Sequence, residues 1–489
     1  MATVVNPVVP RPAAPARARL RLRPALKAAG LVALGVAGYR LIRRSRGTSP
    51  LLRDGSQLPR DTSLDSTLAL FREGYTFISS RARRLQSDVF LTRLMLQPAI
   101  CMTGEEAARE FYVPGRFTRR GAVPMTTLTL LQGRGSVQTL DGDAHRHRKQ
   151  MFMSAVMAPD RVEELVALAD REWRTRIPAW QRRPVLVLHD EVREILCRAV
   201  CAWAGVPLPE DGVAERAREL GATVDHAASI GPRHWRAQWL RRRTERWIGQ
   251  VIDDVRSGQL VVHRDRAAYA IACHRDADGR LLPRSTAAVE LINVLRPTVA
   301  VARFITFAAL ALFEHPQVAI ALKAGTDEDL DRFAQEVRRF YPFFPAVGGR
   351  VRTPFAWRGH SFKRGEWVLL DIYGTNHDPR RWSDPEEFRP DRFTDAAPTP
   401  YDLIPQGGGA PADGHRCPGE AITLALMKSA TRQLLRLRYD VPAQDLRIDM
   451  ANVPALPASG FVIANVRGGG FNWPALDEPL HPPRHGGIA

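Results

Sequence analysis

The chain has little cysteine for its length, with five residues among 489, at positions 101, 197, 201, 273 and 417. Their number is odd and no two have CxxC spacing, which excludes a disulfide framework as the basis of the fold. Cys197 and Cys201 lie one helical turn apart in the apolar segment "EILCRAVCAWAGV", as core thiols in a reducing compartment do. Only Cys417 lies in a different setting.

A long apolar run is missing from the N-terminal region. Ala28 to Tyr39 supplies twelve residues between Lys27 and Arg40, fewer than the roughly 20 that a membrane span needs. Arginines stand where a secretory signal would have its small-residue cleavage site. We therefore expect a cytoplasmic protein, in which residues 25–46 belong to a disordered or loosely helical extension or to a membrane-surface anchor. A segment that directs export is the third alternative.

The basic charge is unevenly distributed along the chain. The net charge is +18, but the first sixty residues hold twelve Arg or Lys and one Asp, which leaves only +7 for the rest. The excess therefore belongs to a tail and not to a patch on a folded face, so the composition gives no support to nucleic-acid binding.

Neither repeats nor a low-complexity linker interrupt the chain between Ser56 and Arg467. We expect a basic, Pro/Ala/Arg-rich extension over residues 1–55, one large domain over 56–470, and a proline-rich tail over 471–489. Apolar residues at three-to-four spacing predict a mainly α-helical domain with a minor β-sheet. The predicted helices are Val162 to Trp173, Glu191 to Ala204, Ala287 to Phe313, Asp327 to Phe340 and Ala421 to Leu437; the predicted strands lie in "SFKRGEWVLLDIYGTN" and "GFVIANV".

Cys417 follows a glycine-rich loop and precedes a long helix, in "PQGGGAPADGHRCPGEAITLALMKSATRQLL". Gly407 to Gly409 let a backbone approach a flat ligand, and a thiolate at a helix N-terminus is favoured by the helix dipole. These features favour a metal-ligating cysteine. The alternative is an ordinary buried cysteine at the start of a helix.

Arg296 and Pro297 stand side by side inside the longest apolar stretch. A proline inside a helix costs about 3 kcal/mol, and a buried arginine needs a partner charge. The plainest interpretation is a kinked core helix whose arginine pairs with a carboxylate elsewhere in the fold.

Three motifs occur in a diagnostic order: Glu336-x-x-Arg339, then Arg392 in Pro-Asp-Arg-Phe, then the Cys417 loop. In this order and spacing the chain resembles the cytochrome P450 superfamily. The resemblance implies that the glutamate and the two arginines hold the segment before the cysteine loop. It also implies haem b, which lies between the central helix and the cysteine-loop helix with its iron ligated by the Cys417 thiolate.

The chain departs from the superfamily pattern at several positions, and these departures indicate which branch of the superfamily it resembles. Ala410 and Asp413 replace the usual phenylalanine and glycine of the cysteine loop, and Arg296-Pro297 replaces the acid and alcohol that deliver protons to dioxygen. In this the chain resembles the fatty-acid peroxygenase branch, over roughly Leu58 to Val466. Segments such as "VQTLDGDAHRHRKQMFMSAVM", "IGPRHW" and "LLDIYGTNHDPRRW" agree with that branch.

The resemblance implies a mechanism in which Arg296 binds the carboxylate of a long-chain fatty acid. That carboxylate would take a proton from hydrogen peroxide and return one to the departing oxygen. Because the carboxylate is fixed, oxidation would occur at the alpha or beta carbon. No redox partner would be required. Pro297 belongs to the same catalytic motif.

The remaining site residues also follow from the resemblance. Gln138 occupies the position that is glutamine in hydroxylases and histidine in a decarboxylase, which favours hydroxylation; the alternative is an ordinary loop amide. His145 and Lys149 match positions that contact haem propionates, and the neighbouring Arg148 could share that task; otherwise "HRHRK" is a solvated helix start. Contacts with the cofactor are further expected from Gln406, Gly407 and Arg416. Gln132, where close relatives have phenylalanine, leaves the shape of the substrate channel open.

Other functions stay open at this point. A decarboxylase that forms terminal alkenes has the same motifs. A monooxygenase supplied by redox partners would suit a basic surface around Arg416. A haem-binding sensor or a membrane-tethered binding protein would account for the N-terminal tail without any turnover.

Overall fold

The computed structural model describes residues 58–394, 397–411 and 414–468. Helices predominate among them, as the spacing of the apolar residues predicts. In chain order the helices are α1 Thr67–Glu73, α2 Phe77–Leu85, α3 Glu105–Phe111, α4 Met125–Leu131, α5 Gly142–Val156, α6 Pro159–Gln181, α7 Leu188–Ala204, α8 Val213–Asp225, α9 Pro232–Ser257, α10 Ala267–Ala272, α11 Arg284–Ala300, α12 Ala302–Glu314, α13 Pro316–Ala324, α14 Asp327–Phe340, α15 Tyr373–Asn376 and α16 Glu420–Arg436.

The strands are short and form small sheets, which confirms the predicted mainly α architecture with a minor β component. They are β1 Val89–Leu94, β2 Gln97–Met102, β3 Phe117–Thr118, β4 Val185–Val187, β5 Ala346–Val351, β6 Phe355–Trp357, β7 His360–Phe362, β8 Trp367–Asp371, β9 Leu437–Asp440 and β10 Val462–Gly468. The sheet orders are β1-β2-β8-β5-β3, β4-β10-β9 and β6-β7. Only the β2–β8 pair is parallel among these strands.

The predicted elements appear where the sequence pattern indicates them. Four predicted helices correspond to α6, α7, α14 and α16, and the two predicted strand segments form β7, β8 and β10. Helix α14 begins at its predicted residue because Thr326 and Asp329 form a capping box there. The predicted domain boundaries and the apolar segment 25–46 lie outside the described residues and stay predictions.

The predicted single helix from Ala287 to Phe313 is divided at Val301 into α11 and α12. Pro297 has no N–H to donate to the carbonyl four residues earlier. One turn later, the Val301 N–H donates to the Thr298 carbonyl at 3.2 Å, an i to i−3 bond, before regular bonding resumes. The proline therefore tightens the helix locally without ending its course.

Helices α11 and α12 run through the main hydrophobic core. The stretch Arg284–Glu314 has the length and apolar composition of a membrane span, but 89% of its most apolar window is buried inside the fold. Phe304 and Phe307 are almost fully buried there. The long apolar stretch is thus a core helix of a globular domain, and the charged residues within it, Glu290, Arg296 and Arg303, lie in the protein interior.

Candidate functional site

Cys417 lies in the loop that leads into α16. Its N–H donates to the Gln406 carbonyl at 3.1 Å. The Gln406 amide lies 3.8 Å from the Cys417 Sγ and donates to the Thr423 Oγ1 at 3.0 Å. Burial raises the pKa of the Cys417 thiol, and the Gly419 N–H opposes this rise. A thiolate here therefore needs a cation, such as a metal ion, to stabilise it.

The glycines of this loop are required by protein packing. Gly407 and Gly409 have φ angles of +95° and +79°. A Cβ on Gly408 would lie 2.7 Å from the Pro400 carbonyl oxygen and 2.9 Å from the Tyr112 ring. Close approach to Tyr112 explains the glycines before any ligand is considered, so the expected contact between Gly407 and a cofactor stays a prediction.

Helix α5 brings two predicted residues to the cysteine loop. The buried His145 ring lies 4.3 Å from the His415 ring, centroid to centroid. Lys149 Nζ donates to the carbonyls of Gly414 and, at 3.1 Å, of Arg416. Burial, aided by the Lys149 charge, lowers the pKa of His145 to about 4, and burial lowers that of His415 to about 2. Both imidazoles are therefore neutral at pH 7.

Arg148 is not brought to that loop, although it neighbours Lys149 in sequence. Its Nε and Nη2 donate to Asp276 at 2.6–2.9 Å, and its Nη1 donates to Glu290 at 2.9 Å. Glu290 is fully buried on α11 and also accepts the Val137 N–H at 2.8 Å. Arg148 therefore ties α5 to the central helix, and its expected contact with a haem propionate stays a prediction that these contacts do not favour.

The predicted charge cluster before the cysteine loop is present. Arg339 donates to the two carboxylate oxygens of Glu336 at 2.7 and 2.8 Å, and Arg392 Nε donates to Glu336 at 3.1 Å. Glu336 and Arg339 are fully buried. Arg339 also donates to the carbonyls of Asn376, Pro385 and Glu387. The cluster thus holds the segment that leads to the cysteine loop, as the motif order predicts.

Arg416, also predicted to contact the cofactor, has its charge paired within the protein. Its Nε donates to Glu420 at 2.6 Å, and its Nη1 donates to the Gly409 carbonyl at 3.3 Å. Arg338 pairs with the same glutamate. These contacts brace the loop on both sides of Cys417, and the one Glu420 carboxylate is shared between the two guanidinium groups.

Arg296 contrasts with these arginines. Its side chain is buried, and it has no carboxylate partner among the residues that the structure describes. Its Nη2 donates to Asn293 Oδ1 at 3.1 Å, while its buried Nε has no hydrogen-bond partner in the described chain. Burial and then the Arg241 charge lower the pKa of Arg296 to about 9, whereas Cys417 opposes this. At pH 7 the site therefore contains a buried cation to which none of the residues described by the structure supplies a carboxylate.

Asn293 joins Arg296 to Gln138, which lies in the short 3₁₀ turn Val137–Thr139. The Asn293 amide donates to Glu290 at 3.3 Å, to the Gln132 carbonyl at 3.1 Å, and weakly to Gln138 Oε1 at 3.5 Å. Sequence reasoning missed both Glu290 and Asn293. Their signal was available, because polar residues at 290, 293 and 296 form one face of an otherwise apolar helix.

The donor set fits a metal that arrives in a cofactor. Among the described residues no group of three or more His, Cys, Asp or Glu could hold a bare metal ion. If the Cys417 thiolate ligates a metal, the other ligands must then belong to the cofactor, as the pyrrole nitrogens of haem do. The unsatisfied buried Gln406 Oε1 beside Cys417 and the unsatisfied Arg296 Nε across the interior are compatible with a bound group.

Comparison with protein families and curated sequences gives one consistent result. Residues 330–454 match the family model for cytochrome P450. The chain is 23% identical over 390 residues to cytochrome P450 138 of Mycobacterium tuberculosis, a match that covers 74% of this chain and 86% of that protein. It is 24% identical over 409 residues to cytochrome P450 135B1 of the same species, covering 77% and 84%.

Solved structures match more closely. Cytochrome P450SP alpha (CYP152B1) in complex with (R)-ibuprophen is 50% identical, with a TM-score of 0.81 over 83% of this chain and 100% of that one. Cytochrome P450EX alpha (CYP152N1) with myristic acid is 40% identical, with a TM-score of 0.81 over 85% and 100%. A variant of cytochrome P450 OleT in complex with arachidonic acid is 34% identical, with a TM-score of 0.82 over 84% and 99%.

Proposed function

This chain belongs to the cytochrome P450 family and resembles its CYP152 fatty-acid peroxygenases, and from that membership we propose that it hydroxylates long-chain fatty acids with hydrogen peroxide at the alpha or beta carbon. It is a haem-thiolate oxidoreductase with haem b as cofactor. The observation that carries the finer proposal is the buried Arg296 guanidinium without a carboxylate partner in the described chain.

The cofactor site of the proposal uses the cysteine-loop side of the protein. Cys417 would hold the haem iron as thiolate, and His145, Lys149, Gln406, Gly407 and Arg416 would surround the cofactor. When bound, haem supplies the redox chemistry that transfers an oxygen atom from peroxide to a carbon–hydrogen bond. The braced loop keeps the thiol in place for that ligation.

Arg296 would bind the substrate carboxylate. A guanidinium presents a planar fork of donors that matches a carboxylate, and its net contribution is about 1.5–3 kcal/mol for a charged hydrogen bond. The substrate then provides the counter-ion that the described residues do not supply. Pro297 supports this by interrupting the helix bonding next to Arg296, while Asn293 holds one edge of the guanidinium at 3.1 Å.

The bound carboxylate would serve as acid and base. It accepts a proton from hydrogen peroxide and returns a proton to the departing oxygen, which leaves as water. No side chain of an acid is needed for this transfer. Because Arg296 fixes the carboxylate, the alpha and beta carbons are the parts of the chain nearest the reacting oxygen.

Gln138 supports hydroxylation over decarboxylation. Its neutral amide lies beside Asn293 at 3.5 Å, and an amide cannot transfer a proton as an imidazolium can. The product expected from myristic acid is therefore a hydroxy acid and not a terminal alkene.

The test is a reaction of purified, haem-loaded protein with myristic acid and hydrogen peroxide, without reductase, followed by mass spectrometry. Hydroxylated myristic acid is the expected product, and the Cys417→Ser variant is the control for reaction outside the haem site. Terminal alkene as main product would establish a decarboxylase instead. Product that appears only with NAD(P)H and a redox partner would replace the peroxide proposal, and absence of any product would favour a binding protein.

The structural support for a redox partner is weaker than the sequence suggested. Arg416, the residue expected to form a basic docking surface, pairs with Glu420 at 2.6 Å and is partly buried. Arg416 is thus not a free surface charge, although it shares the Glu420 carboxylate with Arg338. We infer a cytoplasmic location, while membrane contact through residues 25–46 stays a prediction about a segment outside the described residues.

A further inference from the structure

A second buried arginine has unsatisfied donors near the proposed fatty-acid site. Arg241 lies in the middle of α9 and is 1% exposed. Its Nε donates to Glu245 at 2.8 Å, and the Glu245 side chain is 37% exposed. The Nη1 and Nη2 groups are buried and have no hydrogen-bond partner in the part of the chain that the structure describes. The Nε of the guanidinium is therefore paired with a glutamate near the surface, whereas its inner edge, Nη1 and Nη2, has no partner among the described residues.

The unpaired edge lies beside the segment that Arg296 also approaches. A Cβ placed on Gly133 would lie 2.7 Å from Arg241 Nη2 and 2.6 Å from Val289 Cγ1 on α11. The preceding residue, Gln132, accepts a hydrogen bond from Asn293 at 3.1 Å. Asn293 in turn accepts from Arg296 at 3.1 Å. Arg241 and Arg296 are thus connected through the Gln132–Gly133 segment and the Asn293 side chain.

Helix geometry agrees with this proximity. Val289 and Arg296 are seven residues apart, so they lie on the same face of α11. Long helical side chains lean toward the helix N-terminus, which carries the Arg296 guanidinium toward Asn293 and hence toward Val289. Both arginines therefore face the same interior region from two different helices.

Two guanidinium groups in one interior region repel each other. Without an anion, burying both charges raises the free energy of the folded state. The effect is present at Arg296, whose pKa is lowered first by burial and then by Arg241. Water could satisfy the N–H groups but would not neutralise the charge. A carboxylate does both, because its two oxygens together offer about four acceptor positions.

We propose that Arg241 is a second carboxylate-binding residue, so that the fatty-acid carboxylate accepts hydrogen bonds from both Arg296 and Arg241. This rests on the proposed function for the identity of the ligand. The pair makes the site selective for anions. A neutral molecule with the same alkyl chain leaves the charges of both arginines uncompensated, together with the unpaired Arg296 Nε, Arg241 Nη1 and Arg241 Nη2.

Binding measurements on the haem-loaded protein test the role of Arg241. Myristate and 1-tetradecanol, which have the same chain length, are titrated into wild type and Arg241→Gln, and dissociation constants are obtained by calorimetry. Arg241→Gln should weaken myristate binding about ten- to a hundredfold, as loss of a charged hydrogen bond does, while tetradecanol binding stays unchanged. Arg241→Lys should fall between the two for myristate. Arg242→Gln, an exposed change at the next residue, is the matched control and should bind myristate as wild type does.

Two results would overturn the proposal. One is unchanged myristate affinity in Arg241→Gln; the other is an equal loss of myristate and tetradecanol affinity, which would mark a purely structural arginine. If Arg241→Gln does not retain haem, the same ratio of the two affinities in Arg241→Lys decides the question. Failure of the proposed function is distinguishable, because wild type would then bind myristate through both arginines without forming a hydroxy acid from peroxide.

Discussion

The two sides of the proposed haem site treat their buried charges differently. On the cysteine side, the charged groups are paired in the protein itself: Glu336 with Arg339 and Arg392, and Glu420 with Arg338 and Arg416. On the central-helix side, Arg296 has no carboxylate, and the inner edge of Arg241 has no partner among the described residues. The paired side has the properties of a scaffold, whereas the unpaired side has those of a binding site that requires an anionic ligand.

This contrast follows from the cost of buried charge. A buried ion pair that loses one member typically destabilises the fold by about 3–5 kcal/mol, because the remaining charge is left uncompensated. A charge that is uncompensated from the start has no such pair to lose. Substitutions on the two sides should therefore separate stability from function.

The largest effect is expected from Cys417→Ser, which removes the only thiol in the loop before α16. A serine hydroxyl is a poor anion at neutral pH, so the ferrous carbon-monoxide complex should lose its red-shifted Soret band, and turnover should be abolished. The absorption spectrum of the reduced, carbon-monoxide-treated protein is the measurement. A thiolate-type spectrum that persists in the variant would assign the iron to another cysteine.

Arg296→Ala should lose nearly all peroxide-driven hydroxylation of myristic acid while retaining haem. Substrate binding should weaken about ten- to a hundredfold, and turnover should fall further, because a mobile carboxylate no longer positions the proton transfer. Arg296→Lys should restore part of the charge effect but little of the fork geometry. Rates and product positions are measured by mass spectrometry.

Arg303 provides the matched control on the neighbouring helix. It is equally buried, but it pairs with Asp225 at 2.6 Å. Arg303→Ala should lower the free energy of unfolding, whereas Arg296→Ala should not. Near wild-type hydroxylation by Arg296→Ala, with full haem occupancy and unchanged position, would mean that a protein side chain supplies the acid.

Glu336→Gln should lower the free energy of unfolding more than it lowers the rate of hydroxylation. It leaves Arg339 and Arg392 buried without their carboxylate, at a cost of about 3–5 kcal/mol, and the loosened segment should release haem at lower denaturant concentration. Urea unfolding followed by far-UV circular dichroism and Soret absorbance measures both. Glu215→Gln, which breaks the exposed pair with Arg243, should cost about 1 kcal/mol or less. Equal losses in the two variants would contradict the scaffold role.

Deletion of residues 1–55 should have the smallest effect on the site. The residues on both sides of the proposed haem site lie within the described range, so haem content, fatty-acid affinity and turnover should be unchanged. Only solubility or association with vesicles of anionic phospholipid should differ. Loss of haem on truncation would show that the N-terminal segment belongs to the folded domain.

Local spacing allowed much of the cysteine side to be predicted. Glu336 and Arg339 are three residues apart on one helix, which places them side by side in any fold that keeps that helix. The same reasoning identified Arg296 as a buried charge in an apolar helix. It did not identify Asn293, although the polar residues at 290, 293 and 296 have the three-residue spacing of one helix face.

Long-range contacts were beyond that reasoning. Arg148 pairs with Asp276 and Glu290, residues more than a hundred positions away, although its sequence neighbours approach the cysteine loop. Gly408 is constrained by Pro400 and Tyr112 and not by the ligand that its motif suggested. Such contacts depend on which helices and loops pack together. Local spacing in a single sequence does not show that packing.

The sequence by itself determined the position of four helices and of the apolar stretch that α11 and α12 share, the cysteine before α16, the Glu336 charge cluster and the presence of an arginine and a proline within the central helix. These depend on periodicity and on neighbours within about one helical turn. Only the tertiary structure decided that Arg296 has no carboxylate partner in the described chain and that Arg241 approaches it from α9. Whether a charge is compensated depends on every element that packs around it, and burial gives that compensation its energetic weight.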